Sequence, residues 1–203
     1  MTHAKKSHRL RQQLAVEAAR IMTEEGVLDF HTAKRKAADR VGVINDQVMP
    51  RNIEIELALK EYQAIFRAEQ QPAQLSALRK TAITVMQLLS DFSPRLVGSV
   101  LRGSADQYTT IDIHLFSDNS LSLDWLLIEH HIPFNMSERE YRFKGDVIER
   151  YPLYLIEGEG DADVALTVFP ERGVRQPPKS PLDGKSIQRA SISEVQALLQ
   201  KVP

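Results

Sequence analysis

Apolar residues recur with a helical period through roughly the first ninety residues and then give way to short apolar runs. From Arg9 to about Glu25, Leu10, Leu14, Ala18 and Met22 fall on one face with Ile21 beside them, which is the spacing of an amphipathic helix. Gly26 follows as a stop, since glycine tolerates the left-handed conformation that ends helices. A second helix is expected from Thr32 to Val41, with Ala33, Ala37, Ala38 and Val41 on one side and Gly42 closing it. A third follows Pro50, with Ile55, Leu59, Tyr62 and Phe66 sharing a face. A fourth starts near Pro72, a residue suited to a first helical turn. It runs through Leu75, Leu78, Ala82, Val85 and Leu89 until Ser93-Pro94 breaks it. Burial is expected of Leu14, Ile21, Leu59 and Phe66, because such apolar faces must be covered.

Beyond Ser93 the pattern predicts strands at Arg95–Ser99 and Thr110–Phe116, with the turn-like and partly helical GSVLRGSADQY between them. Further strands are expected near Ile132–Asn135, Val147–Ile156 and Asp163–Phe169. Ser120 is placed to cap a helix over Leu121–His131. The tail RQPPKSPLDGKS reads as a proline-rich loop with a turn at Asp183-Gly184. Ser191 and Glu194 have capping-box spacing for a last helix to about Lys201. The fold class expected is α+β, a mixed sheet with helices behind an all-helical segment. The sequence pattern divides the chain into a helical segment over 1–92 and an α/β domain over 93–203, with the fourth helix also able to pack onto the sheet.

Composition narrows the function classes. The 203 residues contain no cysteine, which excludes disulfides, thiolate zinc sites and a cysteine nucleophile. A net charge of −1 excludes a strongly basic footprint over the whole protein. The start MTHAKKSHRLRQQ carries basic residues without a following apolar stretch, so no signal peptide is expected. No run approaches the ~18 apolar residues of a membrane span. A cytoplasmic protein without membrane contact is the expectation.

The chemistry concentrates in LVGSVLRGSADQYTTIDIHLFSD, Leu96 to Asp118. One strand ends in Gly98-Ser99, and the next carries Asp112-Ile113-His114. Glycine lets the backbone approach a phosphate closely, and amides at a following helix start donate to phosphate oxygens. Strand alternation puts Asp112 and His114 on one face. This run resembles the nucleotidyltransferase superfamily, and in particular bacterial nucleotidyltransferase-like proteins. Its signature is a Gly-Ser after the first strand and an acidic-x-acidic pair on the next. The resemblance covers roughly Ser93 to Pro170. It implies a nucleotidyltransferase-like mixed sheet that binds a nucleoside triphosphate. Gly98, Ser99 and Arg102 would contact phosphates, and Asp112, His114 and a later Asp163 would hold Mg2+. Asp161 is the alternative to Asp163 if the register shifts. In the family, two magnesium ions would stabilise the attacking and leaving oxygens of an in-line displacement.

His114 departs from that signature. It stands where the second carboxylate belongs, and a neutral imidazole is a poor ligand for magnesium. The expectation is therefore a nucleotide-binding protein of weak or lost transferase activity, with Asp112 and Asp163 as the catalytic carboxylates. The acceptor would be an unknown protein or nucleic acid, and a homo-oligomer is compatible with the sequence.

Plainer readings stand beside each of these. Gly98-Ser99 also fits a tight turn, and Asp112 with His114 fits the polar side of an amphipathic strand. Arg102 also fits a surface charge or a partner for Asp106. His130-His131 reads as a helix end, since adjacent helical residues do not face one way. The segment TAKRKAADRVGVINDQVMPR has some likeness to a helix-turn-helix, with Lys34, Arg35, Lys36 and Arg40 supplying charge. The alternative function is accordingly a non-enzymatic interaction or DNA-binding regulatory protein that uses the helical segment.

Overall fold

The structure is a computed structural model that describes residues 3–43, 48–119, 121–158 and 162–200. The chain is α+β, with seven α-helices and a mixed five-stranded sheet among the described residues. It divides into two compact units, residues 1–71 with 181–184 and residues 72–180 with 185–203. Ser120, Asp161 and Lys201, named above as cap, alternative ligand and helix end, lie outside the described residues.

The first unit contains α1 (His3–Glu25), α2 (Phe30–Val41) and α3 (Asn52–Phe66). Asp29 caps α2 by accepting from the Thr32 amide at 2.7 Å, and Gly42 ends it at φ 75°. Leu14, Ala18 and Ile21 of α1, Ala33 and Ala37 of α2, and Ile55 of α3 are fully buried in one core. Phe66 differs from its expectation and is 65% exposed. It sits at the last residue of α3, where its ring packs on Tyr62 at 4.5 Å instead of entering the core.

In the second unit, α4 (Gln71–Leu88) leads into a 3-10 turn at Ser90–Phe92, then β1 (Arg95–Leu96), α5 (Gly98–Arg102) and β2 (Ile111–Phe116). After α6 (Leu121–Glu129) come β3 (Asn135–Arg142), β4 (Ile148–Ile156) and β5 (Val164–Phe169), and α7 (Ile192–Gln200) closes the fold. The sheet order is β1-β2-β5-β4-β3, with β2 and β5 parallel and all other pairs antiparallel. The fourth helix packs onto the sheet. Leu75, Leu78, Ala82 and Met86 of α4 join the core built on the sheet, so the compact unit begins at Pro72.

β2 is two-faced. Ile111, Ile113 and Leu115 are fully buried in the helix-covered core with Val100, Leu123 and Val195. Each such side chain contributes about 1.5–3 kcal/mol. The opposite face carries Asp112, His114 and Phe116, beside Ala165, Thr167 and Phe169 of β5. The β3–β4 hairpin folds over this second face, where Tyr141, Phe116 and Phe169 form a smaller aromatic core. The strand expected near Ile132–Asn135 begins only at Asn135 and runs to Arg142. Its sequence NMSEREYR lacks apolar alternation because it is an edge strand whose residues are mostly exposed.

Candidate functional site

Gly98 opens α5 directly after β1 at φ 75°, a left-handed conformation natural to glycine. A Cβ at this position would come within 3.0 Å of Asp112 Oδ2. The close approach that the sequence suggested for a phosphate is thus made to the Asp112 carboxylate. The Val97 amide also donates to the Asp112 carbonyl at 3.0 Å. Ser99 lies in the first turn, and its carbonyl accepts from the Gly103 and Ser104 amides. Arg102 is half-buried in the last turn of α5.

Asp112 is not an open carboxylate. Its Oδ1 accepts from Arg139 Nη1 at 2.7 Å, with the two side chains 28% and 37% exposed. Arg139 comes from β3, the strand most distant from β2 in the sheet order, and reaches Asp112 because the hairpin arches over this face. The Arg139 guanidinium also acts electrostatically on Tyr141, which belongs to a buried polar chain.

That chain is centred on His114, which is only 1% exposed. Arg189 Nε lies 3.2 Å from His114 Nδ1. An arginine N–H can only donate, so Nδ1 accepts and the proton of the neutral ring sits on Nε2. Nε2 then donates to the Tyr141 hydroxyl at 3.2 Å, and that hydroxyl shares a hydrogen bond with Thr167 Oγ1 at 3.1 Å. This tautomer follows from the network. Burial holds the His114 pKa well below its usual value, and the charges of Arg189 and Arg139 add to the effect.

Arg189 is fixed in turn by the Gly173 and Val174 carbonyls, at 2.7 and 3.3 Å. Its guanidinium carbon stands 4.8 Å from the centre of the Phe116 ring and 5.3 Å from that of Phe169. Burial, with Arg95 nearby, lowers its pKa to about 10.

Asp163 is exposed just ahead of β5, and its Oδ1 accepts from the Gly158 amide at 3.1 Å, linking the end of β4 to the start of β5. Its carbonyl pairs with the Ile111 amide. Among the described residues no three His, Asp or Glu side chains converge where they could hold a metal ion. The expected set does not fit Mg2+ as it stands. Asp112 is bound to a guanidinium, both nitrogens of His114 are committed, and Asp163 accepts from the Gly158 amide.

Arg139, Tyr141, Thr167 and Arg189 had no place in the sequence reading of the site. Thr167 was the most visible, as the one polar residue in the apolar strand VALTVF. Arg139 and Tyr141 lay in the strand that the polar pattern concealed. Arg189 lay in the tail, where nothing marks a single arginine.

On the helical unit, Lys36 pairs with Glu25 at 3.0 Å, and Arg40 pairs with Glu25 and Glu17. Much of the positive charge noted in α2 is thereby spent within the unit. Residues 44–47, which a recognition helix would include, lie outside the described residues. Among the described residues no helix is long and apolar enough to cross a membrane. Compared with known families and curated proteins, the chain matches no family model and no curated sequence at a significant level.

Proposed function

We propose that this chain is a nucleotidyltransferase-like protein that binds a nucleoside triphosphate and has lost metal-dependent transfer. The order of parts supports the likeness: a strand, Gly98-Ser99 opening a short helix, and Asp112 on the next, antiparallel strand. The observation that carries the loss of transfer is the Arg139–Asp112 pair at 2.7 Å. A guanidinium holds the carboxylate that two-metal chemistry would require. Buried, neutral His114 adds no negative charge to attract a dication.

A thermal-shift series with ATP, GTP, CTP and UTP, each with Mg2+, Mn2+ or EDTA, tests this reading alongside product analysis of the same mixtures. A ligand that binds only the folded state raises its apparent stability. The expected result is a stabilising triphosphate and no transfer or pyrophosphate release. Turnover with magnesium would contradict it. The second reading, an interaction protein acting through its helical unit, is favoured by the exposed Ile65 and Phe66 at the end of α3. Absence of a shift with every triphosphate would turn the assignment to that reading.

A further inference from the structure

We propose that the β2 face around Asp112 is a metal-independent site for a phosphate-type anion, with Arg139 as its contact residue and Asp112 as a built-in competitor for that contact. This deepens the nucleotide-binding reading above and rests on it only for the organic part of the ligand.

The charges argue for an anion. Arg95 stands opposite His114 in the β1–β2 ladder, and Arg139 and Arg189 flank the imidazole. Among the described residues, Asp112 is the carboxylate ion-paired with one of these guanidinium groups, Glu194 lies near Arg95, and Asp163 stands two residues before Ala165 on the neighbouring strand. Glu194 is engaged by the Ser191 amide and hydroxyl, both at 2.7 Å, in the cap of α7. Among the described residues Arg189 has no carboxylate partner, and its hydrogen bonds go to a neutral imidazole and two backbone carbonyls. Three guanidinium groups therefore gather around the imidazole, with Asp112 as the carboxylate that answers Arg139.

Access argues for Arg139 as the contact. It keeps 37% of its side chain exposed, whereas Arg189 Nη2 is sealed from solvent without a hydrogen-bond partner. Arg189 acts through its field and by holding His114 neutral. A planar guanidinium matches a phosphate oxygen pair as well as it matches a carboxylate. The Asp112 carboxylate now occupies donors that a phosphate would take. Binding then requires an exchange of anions on Arg139, and a metal on Asp112 plays no part in it.

Calorimetry on the full chain distinguishes this from a metal site, using ATP and inorganic tripolyphosphate, each in EDTA and in Mg2+. Wild type is expected to bind both anions in EDTA. Arg139→Ala and Arg139→Gln should weaken both by about tenfold or more, as for truncation of a close charge contact. Asp112→Asn should tighten both by about threefold or more, because a competing partner is removed. A metal site requires the reverse for Asp112→Asn, which would then abolish binding. Circular dichroism confirms that each variant keeps the fold, and the opposite signs at Arg139 and Asp112 separate the proposal from general damage. Binding that needs Mg2+, a weakened Asp112→Asn, or an unaffected Arg139→Gln would overturn the proposal while leaving the nucleotide reading in place. Tripolyphosphate binding without ATP binding would support the anion site and end the nucleotide reading. Failure of both anions under both conditions would end both.

Discussion

Arg189 Nε and the buried His114 Nδ1 face each other at 3.2 Å. This contact makes His114 an obligate neutral acceptor, because protonation at Nδ1 would set N–H against N–H between like charges. The groups around the ring agree. Arg139 and Tyr141 come from β3, Thr167 and Phe169 from β5, Arg95 from β1 and Asp112 from its own strand.

The first prediction is a pH dependence of stability. The folded pKa of His114 is depressed below the unfolded value of about 6.5. Below pH ~6.5 the unfolded chain takes up a proton that the folded chain refuses, so this residue makes stability fall as pH drops. Its contribution is flat above that pH. The slope approaches about 1.4 kcal/mol per pH unit between the two pKa values. Urea unfolding from pH 8 to 5 should show the decline, and His114→Asn should flatten it. An unchanged slope in His114→Asn would rule out His114 as its source.

Gly98 supplies the second prediction. Gly98→Ala meets two obstacles, the positive φ and Asp112 Oδ2 at 3.0 Å. The expected loss is about 1–3 kcal/mol in denaturant unfolding. Combination with Asp112→Gly should recover part of it, namely the steric share. Full additivity of the two losses would mean that the carboxylate does not restrict the site.

Arg189 supplies the third. Arg189→Ala removes two bonds to backbone carbonyls and the ring contacts with Phe116 and Phe169. A destabilisation of about 2–3 kcal/mol is expected. Arg189→Lys should recover little of it, since a point charge cannot reach several acceptors as a fork does. The measurement is the urea midpoint of both variants, and recovery to wild type by lysine would contradict the geometric argument.

A fourth prediction concerns the helical unit. Asp29→Ala removes the cap of α2 and should cost about 1 kcal/mol, read in the same unfolding experiment. Asp29→Asn should recover most of that loss, since asparagine caps as well as aspartate does.

The sequence carried the parts of this fold that obey a simple period. Leu14, Ile21 and Leu59 lie in the core as their helical spacing required. Gly98 and Asp112 sit on adjoining elements in the expected order, because glycine at a strand-helix junction and alternation in β2 are local signals. Residues whose role depends on distant chain segments were invisible. Arg139 reads as a surface charge in an exposed edge strand until the hairpin arches over β2, and only that arch connects it with Asp112. Alternation correctly put His114 on the face of Asp112, but it could not reveal that Tyr141 and Arg189 would cover one and leave the other half-open. Phe66 followed the apolar period of α3 yet fell on the last residue of the helix.

On the proposed reading, the carboxylate on β2 answers to a guanidinium and not to a metal. Its most direct measurement is calorimetric titration of wild type and His114→Asp with a non-hydrolysable triphosphate, in EDTA and in Mg2+. A carboxylate at position 114 would face Arg189 and Arg139, which would neutralise it before a dication could. Mg2+ is expected to alter the affinity of neither protein by more than about twofold, well within 1 kcal/mol. Tight binding by the wild type only when Mg2+ is present, strengthened further in His114→Asp, would contradict it.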